Sequence, residues 1–257
     1  MATSSLVADW SDFDPREYLD EYYKDLGAEN VALLRFFVDA CRGLPRDTVL
    51  LDFGGGPTIY PLIAASKAVR EIHFSDYLDA NLEEVRRWLR GDEAAFDWRP
   101  FIQKTLEFES GRAHCSASHV ERRADEIRRR VTRLLRCDAS RTPPIEGCGG
   151  YDVVVSNFCA ESATPDRAIW QAYMHNIGSL VRPGGTLIVS ALKGATCYSV
   201  GSRSFPAVDI SEDDIAEVLA DSGFSEKRIA VRSAPADRPT RLYAGVMMAV
   251  ATKEAGR

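Results

Sequence analysis

Thr48-Val49-Leu50-Leu51-Asp52-Phe53-Gly54-Gly55-Gly56-Pro57-Thr58 is the stretch that sets the architecture. Its β-branched and apolar residues predict a buried strand over 48–53, which stops at three consecutive glycines. Ile59, Leu62, Ile63 and Ala64 then predict a helix. A strand that enters a helix through a glycine bend is the opening unit of a parallel sheet covered by helices. Glycine lets the backbone turn tightly there and lets a ligand come against the main chain. The free N–H groups of the following helix suit an anionic group such as a carboxylate. The spacing is not that of a dinucleotide fingerprint, because its third glycine would fall on Ile59, and no lysine follows for a phosphate-binding loop.

The same alternation continues on both sides. Glu71 to Ser75 predicts a second strand ending at Asp76, and Asp79 is expected to cap a helix running from Asn81 to Leu89. Residues 92–117 carry no clear period. Val120, Ala124, Ile127, Val131 and Leu134 recur at helical spacing, so a helix is expected over 118–130, followed by a short strand reaching Cys137-Asp138. Tyr151 to Ser156 reads as a buried strand. Asp166 precedes a helix with Ile169, Tyr173, Ile177 and Leu180 on one face, and Pro183-Gly184-Gly185 turns the chain into a strand from Thr186 to Leu192. A helix over 213–221 and strands near 227–232 and 244–251 complete the sheet. Ahead of the first strand, helices are expected over 16–24 and 32–41, placed either as a cap over a site or packed on the sheet.

Composition narrows the function classes. The 257 residues suffice for one sizeable core, and the net charge of -6 argues against nucleic acid or an anionic membrane as the main partner. The arginine-rich segment from Arg122 to Arg136 is interleaved with Glu121, Asp125 and Glu126, which predicts a solvated helix face. Six scattered cysteines form no C-x-x-C pair and the four histidines do not cluster, so no metal site is expected and the thiols are expected to stay reduced. His73 sits inside a strand pattern and is read as structural. No basic, apolar leader opens the chain and no run reaches the ~20 apolar residues of a membrane span. A cytoplasmic enzyme is expected. There is no G-x-S-x-G elbow to support hydrolase chemistry.

Four signals fall at the carboxyl ends of the expected strands, the edge where open α/β sheets bind ligands. They are the glycine bend, Asp76 twenty residues past Gly56, Cys137-Asp138, and Ser156-Asn157-Phe158-Cys159-Ala160-Glu161. An acid at the position of Asp76 can accept both hydroxyls of a ribose, and a carboxylate or main-chain group near Asp138 can reach an adenine amino group. Taken singly, each also has a plain reading as a tight turn or a helix cap.

More specific pieces accompany these. They include Asp14-Pro15-Arg16-Glu17-Tyr18-Leu19-Asp20-Glu21-Tyr22-Tyr23, Gly56-Pro57-Thr58-Ile59-Tyr60, Asp76-Tyr77-Leu78-Asp79-Ala80-Asn81-Leu82 and Ala95-Phe96-Asp97-Trp98. Phe158-Cys159-Ala160-Glu161 and Gly178 to Gly185 extend the set, which spans the chain from about Phe13 to Ala251. With these pieces the chain resembles the family of nicotinamide, phenylethanolamine and thioether/indolethylamine N-methyltransferases. The resemblance implies a Rossmann-like class I methyltransferase fold, with a seven-stranded, mostly parallel sheet and an N-terminal helical cap over 1–45, in a single domain over 1–257. It implies S-adenosylmethionine as cofactor and a small-molecule acceptor, in a monomer or weak homodimer. A bacterial origin is expected from the same likeness and from an arginine- and alanine-rich composition.

Carried over by position, Tyr18 and Tyr23 would close over the cofactor. Gly54, Gly55 and Gly56, with Thr58 and Tyr60, would lie against its methionine part. Asp76 would hold the ribose beside Tyr77 and Asn81, and Asp138 and Ala139 would flank the adenine. Asn157 would stand near the methionine end. Tyr22, Tyr198, Asn157 and Glu161 are the candidates for shaping the reacting chamber and orienting the acceptor. Where family members place acids near the end of the strand 186–192, this chain has Ser190 and Lys193, and Ala207 stands where a serine is common. Asp237 is a candidate acid from a later loop. The acceptor therefore stays open.

Two other uses of this fold fit the same residues. One is cyclisation of S-adenosylmethionine to azetidine-2-carboxylate and methylthioadenosine. The other is a catalytically silent partner protein.

Overall fold

The structure, a computed structural model, describes residues 10–238 and 241–255. The reading of the first residues as free of a leader lies outside that set. The chain begins with α1 (Pro15–Tyr22) and α2 (Ala28–Cys41), then enters β1 (Val49–Phe53), α3 (Tyr60–Ala68), β2 (Glu71–Asp76) and α4 (Asp79–Leu89). It continues through α5 (Arg99–Ser110), α6 (Ala117–Arg130), β3 (Val131–Arg136), β4 (Tyr151–Asn157), α7 (Arg167–Ser179) and β5 (Val181–Lys193). A hairpin of β6 (Cys197–Val200) and β7 (Arg203–Pro206) follows, then α8 (Glu212–Asp221), β8 (Phe224–Pro235) and β9 (Gly245–Lys253).

Among the described residues the main sheet has seven strands in the order β3-β2-β1-β4-β5-β9-β8. The first five pair in parallel, while β9 runs antiparallel to both β5 and β8. β1 and β4 lie at the centre with helices over both faces, so their residues are mostly buried without alternation. Strand order reverses between β1 and β4, which opens a crevice at their carboxyl ends. One apolar core packs α2 to α6 against one face, and the other packs α7 and α8 against the opposite face.

Several expectations change in detail. Asp79 does not cap α4: Leu78 holds that place, and Asp79 is the first helical residue, paired with Arg136 at 2.9 Å. Asp76 takes over the turn, its Oδ1 accepting the Leu78 N–H at 2.8 Å. In α7 the buried stripe is Trp170, Met174 and Ile177 rather than one through Ile169 and Tyr173, a rotation of one residue that leaves Tyr173 half-buried. Pro183-Gly184-Gly185 is an irregularity inside β5, not the turn before it. The unread stretch 92–117 contains α5, opened by Pro100 and closed by Gly111 in the left-handed region. α2 starts a full turn earlier than its apolar period suggests, after Gly27.

The arginine-rich segment is exposed at Arg122 and Arg129, but not throughout. Arg123 is 6% exposed, pairs with Glu109 at 2.8 Å and Glu126 at 3.2 Å, and donates to the Ile63 carbonyl at 2.8 Å. It ties α6, α5 and α3 together, so helical spacing of charges alone misread it. His73 is held by the Tyr151 hydroxyl at 2.8 Å and Glu71 at 3.0 Å.

Candidate active site

A cavity of about 230 Å³ lies over the carboxyl ends of the parallel strands. The loops after β1, β2, β3 and β4 form its floor, and α1, the start of α2 and the β6–β7 hairpin form its roof. The glycine bend is its most constrained part. Gly54 and Gly56 have φ of +67° and +64°, where other residues are strained. A Cβ at Gly54 would stand 2.2 Å from the Cys159 Sγ, and one at Gly55 would stand 2.4 Å from the Phe74 ring. At Gly56 a Cβ would meet nothing within 4 Å, so the main chain there faces open space. Thr58, also on the wall, donates its hydroxyl to the Gly55 carbonyl at 2.8 Å and closes the bend.

Asp76 faces this bend and is 5% exposed. Its Oδ2 accepts the Gly56 N–H at 2.8 Å, and its Oδ1 accepts from the Leu78 N–H at 2.8 Å and the Asn81 amide at 2.9 Å. Burial pushes its carboxyl up, and those three donors pull it back part of the way. Asp52 lies beneath, wholly buried, with no hydrogen-bond partner on either oxygen. Burial first, then the neighbouring Asp76, raises it well above the usual carboxylate range. Tyr77 stands 48% exposed beside Asp76, with the Arg136 guanidinium 5.5 Å from its ring.

At the adenine side of the expected site, the Asp138 Oδ1 accepts from the Ser140 N–H at 2.9 Å and hydroxyl at 2.6 Å. The Ala139 carbonyl accepts from the Asn176 amide at 2.8 Å. At the other end Tyr23 is packed between Tyr60 and Trp98, with ring centroids 5.3 and 5.5 Å away. Tyr18 bridges Tyr22 and Tyr23 at 5.0 and 5.7 Å. The Tyr22 hydroxyl donates to the Ser199 carbonyl at 2.8 Å, which joins α1 to the hairpin. Burial pushes Tyr22 up to about 12, so it stays a neutral phenol. Tyr198 stacks on Phe205, and Trp10 lies flat on the same ring at 5.1 Å.

Every residue expected to hold the cofactor lines this one cavity, as do Tyr22, Asn157 and Tyr198. Glu161 is not among the lining residues. It is 2% exposed, and its Oε1 accepts from the Leu192 N–H at 3.1 Å and the Ser162 hydroxyl at 3.2 Å, with burial raising its carboxyl to about 7. Reasoning from sequence missed Trp10, Phe13, Glu29, Asn30, Tyr173 and Tyr243 on the wall. For Glu29 and Asn30 the available signal was Gly27 as a helix start, which puts both on the first turn of α2.

The residues present fit S-adenosylmethionine. The buried amide of Asn157 has neither its oxygen nor its nitrogen paired, and the Tyr60 hydroxyl is also unpaired. Unpaired buried polar atoms on a cavity wall are costly unless a ligand satisfies them. Phe158, next to Asn157, has φ of +48°, a strained turn of the kind held at binding sites. The bare main chain at Gly56 would accommodate an amino-acid tail, Asp76 a sugar, and the aromatic roof a sulfonium through cation–π attraction.

Known proteins agree. A family model described as the NNMT/PNMT/TEMT family matches residues 6–254. Nicotinamide N-methyltransferase of Sus scrofa is 31% identical over 234 residues, covering 87% of this chain and 86% of that protein. Indolethylamine N-methyltransferase of Oryctolagus cuniculus is 30% identical over 254 residues, covering 95% of this chain and 94% of its own. In fold, the chain is similar to a Burkholderia thailandensis 1,6-didemethyltoxoflavin-N1-methyltransferase solved with 1,6-didemethyltoxoflavin and S-adenosylhomocysteine. That match has a TM-score of 0.52 at 18% identity and covers 99% of this chain and 98% of that one. The chain belongs to the NNMT/PNMT/TEMT family and is an S-adenosylmethionine-dependent methyltransferase acting on a small molecule.

Proposed function

We propose that this enzyme methylates the nitrogen of a small aromatic amine or related base, acting as one methyltransferase unit in the cytoplasm. The observation that carries this reading is the paired character of the cavity: a polar floor at Asp76 and the glycine bend, and an aromatic roof of Trp10, Phe13, Tyr18, Tyr22 and Tyr198. Bound S-adenosylmethionine supplies a methyl group already activated on a sulfonium. The protein's task is then to align the acceptor and exclude water.

In this reading Tyr18 and Tyr23 cover the cofactor, Gly54, Gly55 and Gly56 with Thr58 and Tyr60 hold its tail, and Asp76 with Asn81 holds its sugar. Tyr77, Asp138 and Ala139 border the base. Asn157, unpaired and on the wall, orients polar groups where tail and acceptor meet. Glu161 braces the end of β5 through the Leu192 N–H and acts behind the chamber. The relatives' printed activities at nitrogen support the choice of acceptor atom. The net charge of -6 supports a diffusible molecule over nucleic acid as partner.

The test is incubation with S-adenosylmethionine and a panel of small aromatic amines, with products identified by mass spectrometry. N-methylated amine and S-adenosylhomocysteine in equal amounts are expected. Methylthioadenosine in their place would mean cyclisation, and no turnover with any amine would overturn the proposal.

A further inference from the structure

The β5 end brings no acid to the cavity. Ser190 is buried with its hydroxyl unpaired and does not line the wall, and Lys193 is paired with Glu212 at 2.6 Å. A buried carboxylate reaches the wall from another element. Glu29, on the first turn of α2, is 8% exposed and lines the cavity. Its two oxygens accept from the Tyr243 hydroxyl at 3.0 and 3.2 Å, and Tyr243 lines the cavity beside it.

The charges behind this pair do not cancel. The Arg241 guanidinium lies 4.3 Å from the Tyr22 ring centroid and reaches Glu21 and Asp237, each at 3.7 Å. Arg241 thus pairs with Glu21 and Asp237 and acts on Glu29 without pairing with it. One Asp237 oxygen is buried without a hydrogen-bond partner. Burial raises the Glu29 carboxyl, the Tyr243 hydroxyl lowers it, the Asp237 charge raises it, and Arg241 and the Asp237 main-chain N–H lower it. A buried carboxylate with neutral hydrogen-bond donors but no paired cation is satisfied best by a cationic donor. Asn157, more than nine-tenths buried and unpaired at both amide atoms, lines the same cavity and calls for a polar group where cofactor and acceptor meet.

We propose that Glu29, held in place by Tyr243, binds the ammonium of the acceptor and takes one of its protons before the freed nitrogen electron pair attacks the methyl carbon, so that the enzyme selects amines that are cationic in solution and carry an aromatic body. The proposal rests on the methyl-transfer reading above and adds the residue that recognises the nitrogen. Its aromatic walls are Trp10, Phe13, Tyr22 and Tyr198, and its anionic end is Glu29. A neutral alcohol of the same shape offers that carboxylate a hydrogen bond without a charge and binds more weakly.

The test uses the full chain saturated with S-adenosylhomocysteine and titration calorimetry. The probes are benzylamine, 2-phenylethylamine and 3-phenylpropylamine, each against the alcohol in which hydroxyl replaces the amine. At least one amine is expected to bind about tenfold or more tightly than its alcohol. In Glu29→Gln that preference should fall to within about threefold, with affinity for S-adenosylhomocysteine unchanged. Tyr243→Phe, which removes only a hydroxyl, should lie between the two. Equal binding of amines and alcohols, no amine binding at millimolar concentration, or an undiminished preference in Glu29→Gln would each overturn the proposal. If Glu29→Gln does not fold, an undiminished preference in Tyr243→Phe overturns it. Failure of the wild type to bind S-adenosylhomocysteine would fell the methyl-transfer reading itself, and this proposal with it.

Discussion

Asp76 connects the glycine bend, the start of α4 and the cavity through one carboxylate. Asp76→Ala is expected to weaken S-adenosylmethionine binding by about 100-fold, since two charge-assisted hydrogen bonds to a sugar are worth about 3 kcal/mol together. Calorimetry checks this, with circular dichroism to confirm the fold; a dissociation constant within about threefold of wild type would remove Asp76 from the site. Glu161 makes a different prediction. Its folded carboxyl is raised to about 7, above the ordinary value of 4.5. Its contribution to stability is therefore fully present below the unfolded value and is lost as pH rises through about 7. Between about pH 5 and pH 8 the wild type should lose roughly 2–3 kcal/mol that Glu161→Gln does not lose. Urea midpoints at the two pH values measure the difference, and parallel curves for the two proteins would contradict it.

Among the helices, charges serve as struts more than as surface. Arg16 reaches from α1 to the buried Glu84 of α4 at 2.7 Å and donates to the Ala94 carbonyl at 2.6 Å, fixing the roof to the body. Arg203 of the hairpin pairs with Asp12, and the Gly201 N–H donates to Glu21, so roof and hairpin are joined as well. On the far side Arg123 holds α3, α5 and α6 together from a buried position. Arg123→Ala should cost about 3 kcal/mol, because it leaves the buried Glu109 with only the exposed Lys67 amine, at 3.3 Å, as its cation. Arg123→Met with Glu109→Leu should restore much of that loss. Denaturant midpoints of the three proteins decide; a loss below about 1 kcal/mol in the single variant would show the strut to be idle.

At the level of the entire chain, the cavity is shared by the loops after four strands, the two leading helices and the hairpin. A ligand that spans them stabilises all of them together. S-adenosylmethionine at a hundred times its dissociation constant should raise the unfolding free energy by about 2.7 kcal/mol. For a chain of this size that is a rise in melting temperature of roughly 5–10 °C. Thermal denaturation with and without the cofactor measures it, and no shift would mean that the cofactor does not bind the folded protein.

The parallel core was legible in the linear chain. Apolar runs at β1, β2, β4 and β5 and the glycine bend report local steric and burial demands, which neighbouring residues carry by themselves. The gathering of Gly54, Gly56, Asp76 and Asp138 on one cavity wall was legible for the same reason: each sits at a strand end, and topology brings strand ends to one edge. Contacts across distant elements left no such trace. A helical period puts Arg123 on the stripe of Val120, Ala124 and Ile127 and Arg122 off it, but does not name the partners opposite, Glu109 and the Ile63 carbonyl. The meeting of Glu29 with Tyr243, 214 positions apart, arises only when α2 packs beside the start of β9. Short-range propensity thus settled where the strands end and which groups gather there. Which buried acid reaches the cavity wall was settled by packing, because a hydrogen bond between remote side chains exists only after the helices and sheet have closed around it.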